Sequence, residues 1–146
     1  MTKAVNNQRI EFYQEKLKRV GLGLESKLDE IVGSFSGGER QAVALLMATL
    51  TPIDYLILDE HTAALDPKVA ETIMQLTAEI IKEQKLTTLM VTHNLNYALE
   101  YGDRLIMLHK GEILLDACGK EKSELKLNNL LNKFFDGCCI EKDVAK

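Results

Sequence analysis

Four short stretches of this chain carry side chains suited to work on a phosphate. The first is "SFSGGERQ", residues 34–41, where Ser36 is followed by Gly37, Gly38 and Glu39 ahead of an apolar run. Ser-x-x-Glu before such a run is a capping box, in which the serine oxygen accepts from the third helical amide and the glutamate reaches back. That explains Ser36 and Glu39. It leaves two glycines, each costing a helix about 1 kcal/mol against alanine. Bare amides at a helix N-terminus make an anion site, and a hydroxyl that accepts from an amide still has a proton to donate to a phosphate oxygen. The glycines therefore favour a bound phosphate. The second stretch, "YLILDE", is an apolar strand ending in Asp59 and Glu60. Carboxylates at the C-terminal end of such a strand lie where α/β proteins bind ligands. One can hold Mg²⁺ through water, and the other can orient or deprotonate an attacking water. The third is "VTHN", a strand ending at His93; alone, such a histidine is more often a structural hydrogen-bonder. The fourth is "AALDP", residues 63–67, in which Asp66 is an N-cap and Pro67 a first helical residue.

A phosphate is usually gripped by a lysine in a GxxxxGK[ST] loop. One stretch imitates that loop, "GLGLESKL", Gly21–Leu28. Ser26 stands where the second glycine must be, Leu28 stands where the magnesium-binding hydroxyl must be, and a helix rather than a strand leads in. Gly21 and Gly23 are read instead as helix-ending glycines.

The elements that must position these residues follow from periodicity. Ile10, Tyr13, Leu17 and Val20 share one helical face. A short helix is expected over Lys27–Ile31. A helix over Gly37–Leu50 is apolar nearly all round and is expected to be buried. Tyr55–Leu58 and Thr87–Val91 read as buried strands, with a helix between them carrying Val69, Ile73, Leu76 and Ile80. A short helix over Leu95–Tyr101 closes at Gly102. "RLIML" and "EILLD" around "HKG" read as a hairpin, and Ser123 is expected to cap a last helix with Leu127, Leu130, Leu131 and Phe134 inward. Alternating strands and helices make the class α/β with a parallel component.

Composition sets the bounds. The chain has 146 residues, 46% of them hydrophobic and 27% charged, an ordinary balance for a globular domain. A net charge of −4 gives no bulk attraction to nucleic acid. No apolar run approaches the length of a membrane span, so no direct membrane insertion is expected. Cys118, Cys138 and Cys139 show no CxxC spacing and are read as reduced thiols.

In their order along the chain, the four stretches resemble the ATP-binding subunit of ABC transporters. "FSGGERQ" is similar to its signature motif, "YLILDE" to Walker B, "AALDP" to the D-loop and "VTH" to the switch histidine. The likeness runs from Asn7 to Phe135. Phe35 and Glu39 replace the commonest Leu and Gln of the signature, and His61 follows Glu60 where transporters more often carry proline. "DEHTAALDP" resembles a bacterial uptake-type subgroup assigned to aromatic amino acids.

The resemblance implies a partial P-loop NTPase (ABC ATPase) fold. A helical subdomain with the signature would occupy residues 1–50, the C-terminal part of the mostly parallel core sheet 51–135, and a polar tail 136–146. No counterpart of the family's Walker A or glutamine loop is found, so the chain is expected to be the C-terminal portion of such an ATPase. The strand that carries Walker A is expected to be missing from between "TTLMV" and "RLIML". ATP and Mg²⁺ are the implied cofactors. Ser36, Gly37 and Gly38 would contact ATP held by a second subunit, with Glu39 supporting them. Asp59 would bind Mg²⁺ through water, Glu60 would be the general base or water-orienter, His93 would sense the γ-phosphate, and Asp66 would make contacts across the dimer. Implied partners are a second ATPase subunit, as a homodimer, and transmembrane permease subunits, at the cytoplasmic face of the cell membrane. The alternative is a non-hydrolysing binding or assembly module. A DNA-maintenance ATPase of the same family is disfavoured by the acidic charge, the absence of a long heptad segment and the short spacing from signature to Walker B.

Overall fold

The computed structural model describes residues 7–139. The chain divides into two compact units, Met1–Val91 and Thr92–Lys146.

The first unit opens with α1, Asn7–Lys18. Its least exposed side is the one read from periodicity, with Val20 buried just beyond its end. Gly21 and Gly23 have φ of 72° and 73°, a region costly to residues with a Cβ. The segment that mimics a phosphate loop is thus a helix exit. The helix expected over Lys27–Ile31 does not form: 3₁₀ turns at Leu24–Ser26 and Val32–Ser34 flank a turn there. Five residues cannot offset the cost of nucleating a helix.

Helix α2, Gly37–Thr49, follows, and then β1, Tyr55–Asp59, α3, Pro67–Gln84, and β2, Thr87–Val91. The strands pair in parallel with Tyr55 opposite Thr87 and Asp59 opposite Val91, and α3 is the crossover between them. The core takes Val20, Leu24 and Phe35 from the first segment, Ala42, Leu45 and Leu46 from α2, Leu56 and Leu58 from β1, and Ile73, Leu76 and Ile80 from α3. Residues on both sides of position 50 therefore share one core. The end of α2 is tied down by Thr49, whose hydroxyl donates to Leu45 O at 2.9 Å, and by Gln84, whose amide donates to Thr49 O at 3.0 Å.

Burial differs from expectation in two places. The strands were expected to be buried on both faces, yet they alternate. Leu56 and Leu58 are covered, whereas Tyr55 and Ile57 are 75% and 71% exposed, and on β2 Leu89, opposite Ile57, and Val91 are exposed too. Helix α2 was expected to be buried all round, but Ala44, Met47 and Ala48 face outward. In both cases the unit's own elements cover one face only.

The second unit contains α4, Leu95–Glu100, β3, Arg104–His109, β4, Glu112–Cys118, α5, Gly119–Glu124, and α6, Leu127–Cys139. β3 and β4 form the expected antiparallel hairpin. Lys110 and Gly111 both have positive φ, 50° and 83°, as a two-residue turn that matches strand twist requires. Arg104 pairs with Asp116 across the hairpin at 2.8 and 2.5 Å. Leu105, Ala117 and Leu130 are buried, and the buried Lys122 donates to Leu99 O at 2.7 Å near the end of α4.

Ser123 does not cap the last helix. It lies inside the separate α5 and donates to Lys120 O at 2.8 Å, while the Lys126 amide donates to Asn129 Oδ1 at the start of α6. Of the four side chains expected to point inward, Leu130 is buried, and Leu127 and Phe134 are exposed. Of the polar tail expected over 136–146, residues 140–146 lie outside the described residues, and α6 runs on through Cys139.

Among the described residues, β2 pairs only with β1, and β3 only with β4. No helix among them is long and apolar enough to cross a membrane.

Candidate functional site

The N-terminus of α2 is built as its sequence demands. Ser36 is the N-cap in extended conformation, its Oγ accepting from Glu39 N at 3.3 Å, and Glu39 Oε2 accepts from Ser36 N at 2.7 Å. Sequence reasoning gave the box but not its third member. Lys27 donates through Nζ to Glu39 Oε1 at 2.5 Å, and the same ammonium lies 5.8 Å from the centre of the Phe35 ring. Bonded by the Lys27 ammonium and the Ser36 amide, the Glu39 carboxyl is held down at about 2. Arg40 adds a hydrogen bond to Phe35 O, so the backbone ahead of Ser36 is pinned from both sides.

The two glycines turn out to have different reasons. Gly37 is exposed, and a Cβ there would meet Leu65 Cδ2 at 3.5 Å, an ordinary contact. Gly38 is buried, and a Cβ there would stand 2.2 Å from Cγ1 of Val69. Gly38 is thus required by the packing of α2 on α3 whether or not a phosphate binds. Exposed Ser36 and Gly37 leave room for an anion.

That packing brings the second motif alongside the first. Asp66 caps α3, its Oδ1 accepting from Val69 N at 3.1 Å, with Pro67 as first helical residue. Residues 36–39 and the turn at Leu65–Asp66 therefore meet through Gly37–Leu65 and Gly38–Val69.

Asp59 ends β1, exposed, and Glu60 follows it. Glu60 has φ of 44°, one of three non-glycine residues with positive φ among those described. A bulky side chain persists in that region only where its surroundings hold it, and such sites cluster where function needs them. Here the Glu60 amide donates to Val91 O at 2.9 Å, at the end of the paired strand, and Glu60 O accepts from Ala63 N at 3.0 Å. The next residue, His61, is half-buried, and burial lowers its pKa. Its Nε2 lies 3.4 Å from Thr77 Oγ1, whose only proton goes to Ile73 O at 2.7 Å. The contact moors the turn after Glu60 to α3.

Among the described residues no group of three or more His, Cys, Asp and Glu side chains is gathered for a metal. Asp59 and Glu60 bring two adjacent exposed carboxylates to the end of β1, oxygen donors of the kind Mg²⁺ takes beside water and phosphate. His93 belongs to the second unit, exposed, in the turn between β2 and α4. The turn is shaped by its neighbours: Asn94 N donates to Thr92 Oγ1 at 3.0 Å, and Asn94 Oδ1 accepts from the amides of Asn96 and Tyr97.

Comparison with known proteins adds an independent line. A family model described as "ABC transporter" matches residues 2–63. A tyrosine transport ATP-binding protein of Clostridioides difficile is 52% identical over 118 residues, which is 81% of this chain and 47% of that protein. An energy-coupling factor transporter ATP-binding protein of Bacillus licheniformis is 40% identical over 100 residues, 68% of this chain and 34% of its own length. The chain thus spans less than half the length of these relatives. A solved metal-chelate type ABC transporter in an inward-facing conformation superposes with a TM-score of 0.69 at 23% identity, over 92% of this chain and 53% of the other. An ATP-binding cassette of an ABC transporter in its ADP conformation superposes equally well. Both bear on the fold, which is that of part of an ABC ATPase domain.

Proposed function

The chain belongs to the ATP-binding family of ABC transporters, and from that premise we propose that it carries both the signature that closes over ATP held by a second subunit and the carboxylates of a hydrolytic site, in an uptake system. The observation that carries this reading is Glu60, held left-handed directly after a parallel strand by Val91 and Ala63. Strain of that kind at a carboxylate suits a group aimed at chemistry. In this reading Glu60 takes a proton from the attacking water or orients it. Asp59 would hold Mg²⁺ through water, and the ion would supply positive charge to the phosphate oxygens. The Ser36 hydroxyl and the amides of Gly37 and Gly38 donate to the phosphates of ATP held by the other subunit, at the positive end of α2. Glu39 fixes their geometry. Asp66, beside them, makes contacts across the dimer, and His93 responds to the γ-phosphate.

Aromatic amino acids are the proposed cargo class, supported by "DEHTAALDP" and by the tyrosine transport relative at 52% identity. The proposed partners are a second copy and transmembrane permease subunits, which would hold the protein at the inner face of the membrane.

The test is Glu60→Gln in the complete subunit. Removing the base while keeping its size should cut ATP turnover by about a hundredfold or more and leave ATP binding and ATP-bound dimers in place. His93→Ala should also reduce turnover strongly. Parental turnover in both variants would show that these roles are misassigned.

A further inference from the structure

We propose that Lys27 is a positioning residue of this half-site, cancelling the charge of Glu39 so that the N-terminus of α2 can receive a phosphate. The proposal rests on the reading of Ser36, Gly37 and Gly38 given above.

Glu39 occupies the third helical position, with one oxygen on the Ser36 amide at 2.7 Å. A carboxylate there completes the capping box, but it also places a negative charge at the positive end of the helix, where an incoming phosphate must compete with it. A neutral glutamine could complete the same box without that charge. In this chain the charge is met by Lys27, twelve residues earlier, whose ammonium is 2.5 Å from the other Glu39 oxygen.

Three features hold Lys27 to this task. The left-handed Gly23 and the 3₁₀ turn at Leu24–Ser26 lead the chain into Lys27. The Phe35 ring, itself buried, lies under the ammonium. Glu39 is only 14% exposed, and Lys27 about a third, so the pair is partly withdrawn from solvent. An exposed ion pair would be worth little. This one sits at the base of the residues that face the phosphate, where removing one partner leaves the other charge uncompensated.

The experiment is a double-mutant cycle in the complete subunit with MgATP as probe, reading KM and kcat for K27M, E39Q and the pair. K27M is expected to raise KM about tenfold, because an uncancelled carboxylate now faces phosphate, with a smaller change in kcat. Added to E39Q, K27M should change KM by less than about twofold, the usual limit for uncoupled sites. An equal KM penalty with and without E39Q would mean that Lys27 acts by packing, and the proposal fails. So it does if K27M keeps the parental KM. A second readout needs no turnover: carbon NMR should show the Glu39 carboxyl titrating higher in K27M than in the parent, and an unchanged titration overturns the pairing. A parental subunit in which MgATP leaves the amides of Ser36, Gly37 and Gly38 undisturbed removes the half-site reading itself, and this proposal with it.

Discussion

Gly38→Ala separates the two explanations of the paired glycines by stability alone. A Cβ built on Gly38 stands 2.2 Å from Val69 Cγ1 and 3.5 Å from Val69 Cβ. Carbon atoms settle about 3.5–4.0 Å apart, so α2 and α3 must separate locally by more than about 1 Å or Val69 must turn. Valine in a helix is confined almost wholly to one χ1 well, which makes turning costly. Overpacking of this kind costs about 1–3 kcal/mol. Alanine's better helix propensity returns at most about 1 kcal/mol. Subtracting that full gain leaves an expected net loss of about 0–2 kcal/mol. Gly37→Ala is the internal control. Its Cβ meets Leu65 at 3.5 Å, so it should be neutral or stabilising by up to about 1 kcal/mol. Urea denaturation of the whole chain would show a lower midpoint for G38A and an unchanged or higher one for G37A. Val69→Ala should remove most of the penalty, giving a favourable coupling of about 1 kcal/mol or more in the double variant. Equal midpoints for G38A and G37A would refute the packing argument and return Gly38 to the phosphate alone.

Acid should loosen the start of α2 through Glu39. Its carboxyl titrates at about 2 when folded against 4.5 ordinarily. A depressed folded value means that its contribution is complete above about pH 4.5 and lost as pH falls through about 2. The parent should therefore lose stability relative to E39Q across that window, and a flat difference in acid denaturation would contradict the ion pair. Asp66→Ala removes the cap of α3 and should cost about 1 kcal/mol in thermal or urea unfolding, with Asp66→Asn retaining most of it. The isolated 146-residue chain should bind MgATP no more tightly than about 1 mM, or about −4 kcal/mol, because it has no lysine loop to grip the triphosphate. Micromolar binding by calorimetry, competed by ADP, would reveal a cradle not recognised here.

Features encoded within a few residues were legible in the sequence. The capping box of Ser36 and Glu39, the Asp66-Pro67 helix start and the Lys110-Gly111 hairpin all stand as read, because each depends on backbone chemistry three or four residues long. What depends on distant partners was not. The sequence around Gly38 contains no hint of Val69, thirty-one residues away, so the packing reason for that glycine was not legible beside the phosphate one. Lys27 reads from sequence as the lysine of a failed phosphate loop and as the start of a short helix; its pairing with Glu39 requires the intervening turns. The apolar residues of β1, β2 and α2 were read as fully buried because composition cannot say which faces have neighbours. Tyr55, Ile57 and Met47 are exposed for that reason. Glu60 was legible as a carboxylate at a strand end, whereas its left-handed backbone, fixed by Val91 across the sheet, was not.

The central claim is that this segment acts on ATP gripped by another subunit. Mixed dimers test it most directly. One complete subunit carries Ser36→Arg, and the other carries a substituted phosphate-loop lysine. Each homodimer lacks a working site, but in the mixed dimer the intact lysine loop of the first faces the intact Ser36, Gly37 and Gly38 of the second. The account predicts that mixing restores ATP hydrolysis from one site of two. If the mixed dimers form and remain as inactive as either homodimer, the two halves of the site do not come from different subunits.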